Sequence, residues 1–237
     1  MKNTYKIEQT DYSSYIGKLF RSQFGKGPES IFVTIRPPYL TIYFRNFLSP
    51  IEKALLEQKH EMTIFQTREI IMKLLIPEMK SYFKSLTGFE CEDLYYDWNI
   101  ENRTGFMIGL ISNAEDVLQA EDYKGSAQVN ALVSKISTKV QKPPLKVSSL
   151  FINQQTLLIS REGVMTMVEG ELLVKGYRDT LKFTKKNLER SIFMNNAYNF
   201  GSVLNQDITD VFIDFDFEKD KSTIIFILKS NKQVGPS

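Results

Sequence analysis

Apolar residues open the chain at helical spacing. Tyr15, Ile16, Leu19, Phe20 and Phe24 recur every three or four positions and so share one face of an amphipathic helix. The pattern stops at Gly25-Lys26-Gly27-Pro28, where glycine and proline end a helix. A hairpin is predicted next, Ile31 to Ile35 with Leu40 to Phe44, turning at Arg36-Pro37-Pro38-Tyr39. Ser49-Pro50-Ile51-Glu52 reads as a helix N-cap followed by proline at the first helical position. The long helical region that follows carries an expected buried stripe of Ile71, Leu74, Leu75, Met79, Tyr82, Phe83 and Leu86, ends at Gly88, and should kink or restart at Pro77. A second hairpin closes the pattern. Leu94, Tyr96, Trp98 and Ile100 alternate with Tyr95, Asp97, Asn99 and Glu101, giving an apolar face and a wet one. The nearly all-apolar run Phe106 to Ile111 reads as a central strand.

The same order then repeats. A constant offset of 117 positions carries residues 14–111 onto 131–228 without a gap. Lys18 falls on Lys135, Ile35 on Ile152, Leu40 on Leu157, Glu52 on Glu169, Phe83 on Phe200, Asp97 on Asp214 and Ile108 on Ile225. Val129, Leu132, Val133, Ile136 and Val140 form the second opening helix, stopped by Pro143-Pro144. Ser149 to Ile152 and Thr156 to Ser160 form its hairpin, and Val211, Ile213, Phe215 and Phe217 alternate with Phe212, Asp214, Asp216 and Glu218. Such a repeat implies duplication of one unit. The expected fold is α+β: two tandem copies of helix, hairpin, long helix, hairpin, each a four-stranded, largely antiparallel sheet with its helices on one face. Copy 1 is expected over residues 1–112, a polar linker over 113–126, and copy 2 over 127–237.

Composition narrows the functional classes. Apolar residues at 42% and charged residues at 24% are ordinary globular usage. One cysteine, Cys91, and one histidine, His60, exclude an internal disulfide and every Cys/His zinc pattern. A net charge of +2 supplies no field that would argue for nucleic acid. The longest apolar run, Ile224 to Leu228, is far short of the roughly 20 residues of a membrane helix. With an opening segment that lacks a signal-peptide core, the expectation is a soluble, cytoplasmic protein that does not span a membrane.

The loop Gly25-Lys26-Gly27-Pro28-Glu29-Ser30 invites a phosphate-binding reading, but a phosphate loop leads from strand to helix, whereas here a helix precedes and a strand follows. A helix-terminating turn is the simpler reading. Asp97 and Glu101, repeated as Asp214 and Glu218, are expected on a solvated strand face, too far apart along one strand to chelate a cation. His60 has no second ligand or nucleophile at useful spacing and is expected at the surface. Cys91, set among Glu90, Glu92 and Asp93, is not expected to form a reactive thiolate. Lys182, Lys185, Lys186 and Arg190, preceded by Lys175 and Arg178, make the strongest basic patch, expected as a charged solvent face. No nucleophile, base and orienter assemble from these motifs, so neither catalytic residue, metal nor cofactor is expected.

Three motifs carry a family resemblance: Gly25 to Ser30, Phe47-Leu48-Ser49-Pro50-Ile51-Glu52-Lys53-Ala54-Leu55, and Leu86-Thr87-Gly88, together with Arg68. Over residues 15–111, copy 1 resembles the bacterial MpsC-like family; copy 2 keeps only Gly163-Val164-Met165-Thr166 and Glu169 of the pattern. The resemblance implies a cytoplasmic protein associated with a cation-translocating, membrane-potential-generating system linked to bicarbonate uptake, and it implies no reaction. The expected role is therefore a non-enzymatic accessory or regulatory protein that binds membrane-transport subunits, with copy 1 as the binder. A homodimer or an intramolecular pseudo-dimer would suit the repeat. The alternative is a small-anion or nucleotide sensor, with Gly25, Lys26, Gly27, Glu29, Glu52, Lys53 and Arg68 as candidate ligand-binding residues.

Overall fold

The computed structural model describes residues 5–112 and 123–229. The chain divides into two units, each with its own core. Most of the polar linker expected over 113–126 lies outside the described residues, and its last residue, Ser126, opens a helix.

In the first unit α1 (Lys6–Phe24) ends at Gly25 in the left-handed conformation and leads into β1 (Ser30–Arg36) and β2 (Tyr39–Arg45). The short α2 (Pro50–Glu57) and the long α3 (Glu61–Thr87) follow, then β3 (Glu90–Asn99) and β4 (Thr104–Ser112). The sheet is antiparallel in the order β1-β2-β4-β3, so β4, which holds the apolar run Phe106 to Ile111, is central, as that run implied. Tyr12, Ile16 and Phe20 of α1 and Met72, Leu75, Met79 and Phe83 of α3 pack onto Leu40, Ile42, Phe44, Trp98 and Met107 of the sheet.

The second unit repeats this order with α4 (Ser126–Val140), β5 (Lys146–Asn153), β6 (Thr156–Glu162), α5 (Met167–Val174), α6 (Arg178–Asn195), α7 (Ala197–Leu204), β7 (Ile208–Asp216) and β8 (Lys221–Leu228). Its sheet order, β5-β6-β8-β7, matches. The correspondence reaches backbone detail. Left-handed residues recur in pairs at the offset: Asn46 with Gly163, Lys59 with Gly176, Gly88 with Asn205 and Arg103 with Asp220. The ladder slips between Cys91 and Leu94 in one copy and between Ile208 and Asp210 in the other, the same place.

Two expectations change. Each helical region is a short helix followed by a longer one, separated by the left-handed Lys59 or Gly176. The restart expected at Pro77 is absent: α3 runs through it, and the break falls in copy 2 at Asn196, between α6 and α7. An exposed proline removes one hydrogen bond and can be carried by a helix anchored on both sides, whereas Asn195-Asn196 offers side chains that compete with the helix backbone.

Gly105 pairs with Trp98 across β3 and β4, and a Cβ there would lie 2.2 Å from two carbons of the indole. In copy 2 the same place holds Ser222 opposite the smaller Phe215. Gly105→Ala should therefore displace the indole and destabilise the first unit by about 1–3 kcal/mol, the usual cost of overpacking. Fluorescence of Trp98, the sole tryptophan, during urea unfolding reads this directly; an unchanged midpoint would show that the ring has room to move.

Candidate functional site

The candidate residues separate into a surface set and a buried set. Gly25 is the left-handed cap of α1 (φ 73°), a conformation that glycine adopts at no steric cost. A Cβ on Gly27 would sit 3.1 Å from the carbonyl oxygen of Gly17. The path of the chain thus accounts for both glycines. Lys26 is exposed beside them, and Glu29 accepts a hydrogen bond from the Asn46 side chain. Lys53 is exposed, 3.9 Å from Glu57 one turn along its own helix. His60 is exposed as well, immediately before α3.

Glu52 and Arg68, by contrast, meet inside the unit. The Ser49 hydroxyl accepts from the Glu52 amide at 3.3 Å, and the Ser49 amide donates to Glu52 Oε2 at 2.8 Å, a reciprocal capping box that pins α2. Arg68, fully buried on α3, donates from Nε to Glu52 Oε1 at 2.7 Å and from Nη2 to Glu52 Oε2 at 3.0 Å and to the Phe47 carbonyl at 3.1 Å. Its guanidinium lies 4.6 Å from the ring centre of Trp98 and 4.7 Å from that of Phe47. Burial alone would raise the Glu52 carboxyl; the hydrogen bonds and charge of Arg68, with the Ser49 amide, outweigh it and hold the group below its ordinary value. Planar two-point contact and stacking are what a guanidinium does and an ammonium cannot.

Copy 2 rebuilds this pair with different chemistry. At the offset, Ser49 becomes Thr166, Glu52 remains Glu169, Arg68 becomes Lys185, Trp98 becomes Phe215 and Phe24 becomes Gln141. Thr166 and Glu169 form the same capping box. Lys185 pairs with Glu169, donates to Gln141 Oε1 at 2.6 Å, and lies 4.8 Å from the Phe215 ring centre. Lysine loses the fork, and Gln141 supplies the additional acceptor.

A second buried network belongs to copy 2 alone. Phe20, Phe44, Met72 and Gly105 of copy 1 correspond to Ser137, Arg161, Glu189 and Ser222. Where Phe20 and Phe44 stack at 4.9 Å, Arg161 donates to Ser222 Oγ at 2.8 Å, to Ser137 Oγ at 2.9 Å and to the Glu189 carboxylate. All four residues are buried. Sequence periodicity missed this site because its members lie on four elements; comparing the copies position by position finds it.

From Lys182 onward the basic patch is not a solvent face, although Lys175 and Arg178 before it are exposed. Lys186 is buried and lies 2.9 Å from Asp214, Lys182 lies 3.0 Å from the same carboxylate, and Lys185 is the buried pair already described. Arg190 donates to the Val211 carbonyl at 3.1 Å, and Arg178 grips Glu218 at 2.6 and 2.9 Å in an exposed bidentate pair. Of the expected solvated strand face, Glu101 and Glu218 are exposed, just past the ends of β3 and β7, but Asp97 and Asp214 are buried, only 5% and 7% exposed. Burial would raise Asp214, but Lys182 and Lys186 hold it below its usual range. Alternation of polar and apolar residues reports side-chain direction, and lysines long enough to reach Asp214 turn an expected wet position into an internal one. Cys91 is buried, and burial first, then Asp93 and Glu92, push its thiol up to about 11. No group of three or more metal-ligating side chains occurs among the described residues.

A family model described as "Na+-translocating membrane potential-generating system (MpsC)" matches residues 6–113 and again 125–230. No curated protein and no solved structure matches the chain.

Glu52→Gln leaves the Arg68 charge buried without its counter-charge, and the first unit should lose about 3–5 kcal/mol at neutral pH. Because the folded-state value of Glu52 lies below the unfolded one, this stabilisation is present above about pH 4.5 and is lost as pH falls through the folded value. The gap between wild type and variant, followed by Trp98 fluorescence in urea, should narrow on acidification; a gap independent of pH would exclude the ionised carboxylate as its source. In copy 2, Glu189→Met alone should be strongly destabilising. Combining Ser137→Phe, Arg161→Phe, Glu189→Met and Ser222→Gly, which installs the copy 1 residues, should be neutral or stabilising by about 1–4 kcal/mol. Hydrogen exchange of β6 and α6 distinguishes these outcomes, and a quadruple variant less protected than Glu189→Met would refute the comparison.

Proposed function

The chain belongs to the MpsC family, as two tandem copies, and from that premise we propose that it is a non-enzymatic, cytoplasmic accessory or regulatory protein of a Na+-translocating, membrane-potential-generating transport system, acting by binding a membrane subunit through copy 1. Among the described residues no helix is long and apolar enough to cross a membrane. Ion movement across the bilayer would then belong to a partner, and this chain would contribute a surface.

One observation carries the choice of copy 1. Ile70 and Leu74, one turn apart on α3, are 63% and 67% exposed, so Leu74 lies outside the buried stripe in which its spacing placed it, and the exposed Pro77 continues their line. They lie on the side of the helix turned away from Arg68 and Met72. The same positions in copy 2 are Asn187 and Ser191. The repeated fold therefore does not require apolar residues there. Large apolar side chains held in water on one helix face are the ordinary signature of a helix that meets a partner.

Less supports the anion-sensor reading. Arg68 is committed to Glu52, Lys53 lies beside Glu57, and the glycines of the Gly25 to Ser30 loop have conformational and steric reasons to be there. A melting temperature raised by bicarbonate, phosphate or a nucleotide would restore it.

Immobilised full chain should retain a subunit of the Na+-translocating system from detergent-solubilised membranes. Ile70→Asp combined with Leu74→Asp should cut that retention by about tenfold or more, the effect of losing central apolar anchors, at an unchanged melting temperature. Equal retention by both proteins would remove α3 as the docking helix, and failure of the wild type to retain any such subunit would remove the proposal.

A further inference from the structure

In copy 2 the repeat has acquired a feature that copy 1 lacks. Where copy 1 has the turn containing Gly25 and Pro28, copy 2 runs Lys139-Val140-Gln141-Lys142-Pro143-Pro144-Leu145-Lys146 between α4 and β5. Leu145 is 86% exposed although its backbone is anchored, its amide donating to the Glu162 carbonyl at 2.8 Å. Its side chain leans over Gly163, where a Cβ would lie 2.3 Å from Leu145 Cγ. Four residues after that glycine come Met167 and Val168, 91% and 71% exposed at the start of α5, a helix with no fully buried residue. Leu145, Met167 and Val168 thus project from neighbouring segments at one edge of copy 2. They are also held there: Asp220 Oδ1 accepts from the Val164 and Met165 amides at 2.9 and 2.8 Å, and the Thr166–Glu169 capping box fixes the first turn of α5.

The charges around this edge are unbalanced. Lys139 and Lys146 are exposed and Lys142 is half-exposed. The nearby acids are mostly engaged. Glu162 lies 3.2 Å from Lys221, Glu169 is paired with Lys185, and Asp220 serves the two amides; Glu171, one turn beyond Met167, is the exposed exception. The corresponding positions in copy 1 are Ser22 for Lys139, Gly25 for Lys142, Pro28 for Leu145, Glu29 for Lys146, and Pro50 and Ile51 for Met167 and Val168. Neither the lysines nor the leucine are needed to make the fold.

We propose that this edge of copy 2 is a membrane-surface contact, in which Leu145, Met167 and Val168 enter the headgroup region of an anionic bilayer while Lys139, Lys142 and Lys146 meet its phosphates. Rigidly presented apolar side chains ringed by lysines are what an interfacial anchor needs, because apolar insertion and attraction to anionic lipid add together. The side chains stand on a turn and a helix start and are largely exposed, which suits a fluid lipid surface. Such an anchor would be weak and reversible, below even the marginal hold of a single myristoyl chain. This contact is independent of the protein-binding reading, since lipid alone suffices to test it.

Co-sedimentation of the full chain with extruded vesicles tests it, comparing pure phosphatidylcholine with an equal mixture of phosphatidylcholine and phosphatidylglycerol at low ionic strength. The chain should bind the mixed vesicles, bind phosphatidylcholine far less, and be released by added salt. Lys142→Gln with Lys146→Gln should weaken binding about 25-fold, roughly fivefold for each lysine. Leu145→Ser with Met167→Ser should weaken it too, at an unchanged melting temperature. Absence of binding to the mixed vesicles overturns the proposal. So does binding that either pair of substitutions leaves unaltered, because adsorption would then be elsewhere or purely electrostatic. Loss of transport-subunit capture by these variants without any vesicle binding would assign the edge to a protein partner instead and likewise overturn it.

Discussion

Each unit is organised around a carboxylate that serves two elements at once. Glu52 closes the capping box of α2 with one oxygen and meets Arg68 of α3 with both. Through Arg68 it also reaches the Phe47 carbonyl at the end of the chain leaving β2. A charge buried without a partner is costly enough to be strongly destabilising, so the helix start, the long helix and the strand exit must arrive together or not at all. Copy 2 obeys the same constraint with Glu169, Thr166 and Lys185. Retention of the glutamate while its base changes from arginine to lysine follows from this double duty: the acid must also close the capping box, whereas either base supplies the counter-charge and a further donor.

The copies diverge where that constraint relaxes. Phe20, Phe44 and Met72 make an ordinary apolar core, and Gly105 leaves room for the indole. Copy 2 fills the equivalent volume with Arg161 and Glu189, anchored by Ser137 and Ser222. A buried ionic network rarely adds stability over a packed apolar one, but it admits few alternative arrangements, since every misplacement strands a charge. Copy 2 has thus exchanged part of its hydrophobic packing for polar geometry. Its surface changed in the opposite sense, acquiring exposed Leu145 and Met167 beside Val168, which stands where copy 1 exposes Ile51, and losing the apolar stripe of Ile70 and Leu74. The shared interior and the exchanged surfaces together describe two modules of one fold with different exposed faces.

The fold class, the duplication and the central strands were legible because they rest on periodicity, and periodicity survives substitution. The split of each helical region was not. Its cause is a left-handed residue that is Gly176 in one copy but Lys59 in the other, and a lysine carries no turn signal. The Ser49–Glu52 capping box was half legible: the serine, proline and glutamate announced a helix start, but nothing local showed that Arg68, 16 residues on, would share the carboxylate. The polar faces of β3 and β7 were misread for a related reason. Alternation tells which way Asp97 and Asp214 point and is silent on what lies there, and Asp214 is met by Lys182 and Lys186 of α6.

Family membership and physical reading bear on different questions. Membership ties the chain to a membrane system without saying which of its surfaces matters. Differences between the two copies address that second question, because the fold itself acts as the control. A residue type shared by both copies, such as the capping-box glutamate, has a structural reason available. A large apolar or basic residue exposed in one copy and replaced by a small or polar one at the same place in the other has none. By that criterion the candidate turn at Gly25 to Ser30 is better explained by chain path, while Ile70 and Leu74 in one unit and Leu145 with its lysines in the other are the positions that folding leaves unexplained. Two copies of one scaffold, each freed to vary where the other holds the fold, are a simple route by which a duplicated domain keeps one interior while its two surfaces become different.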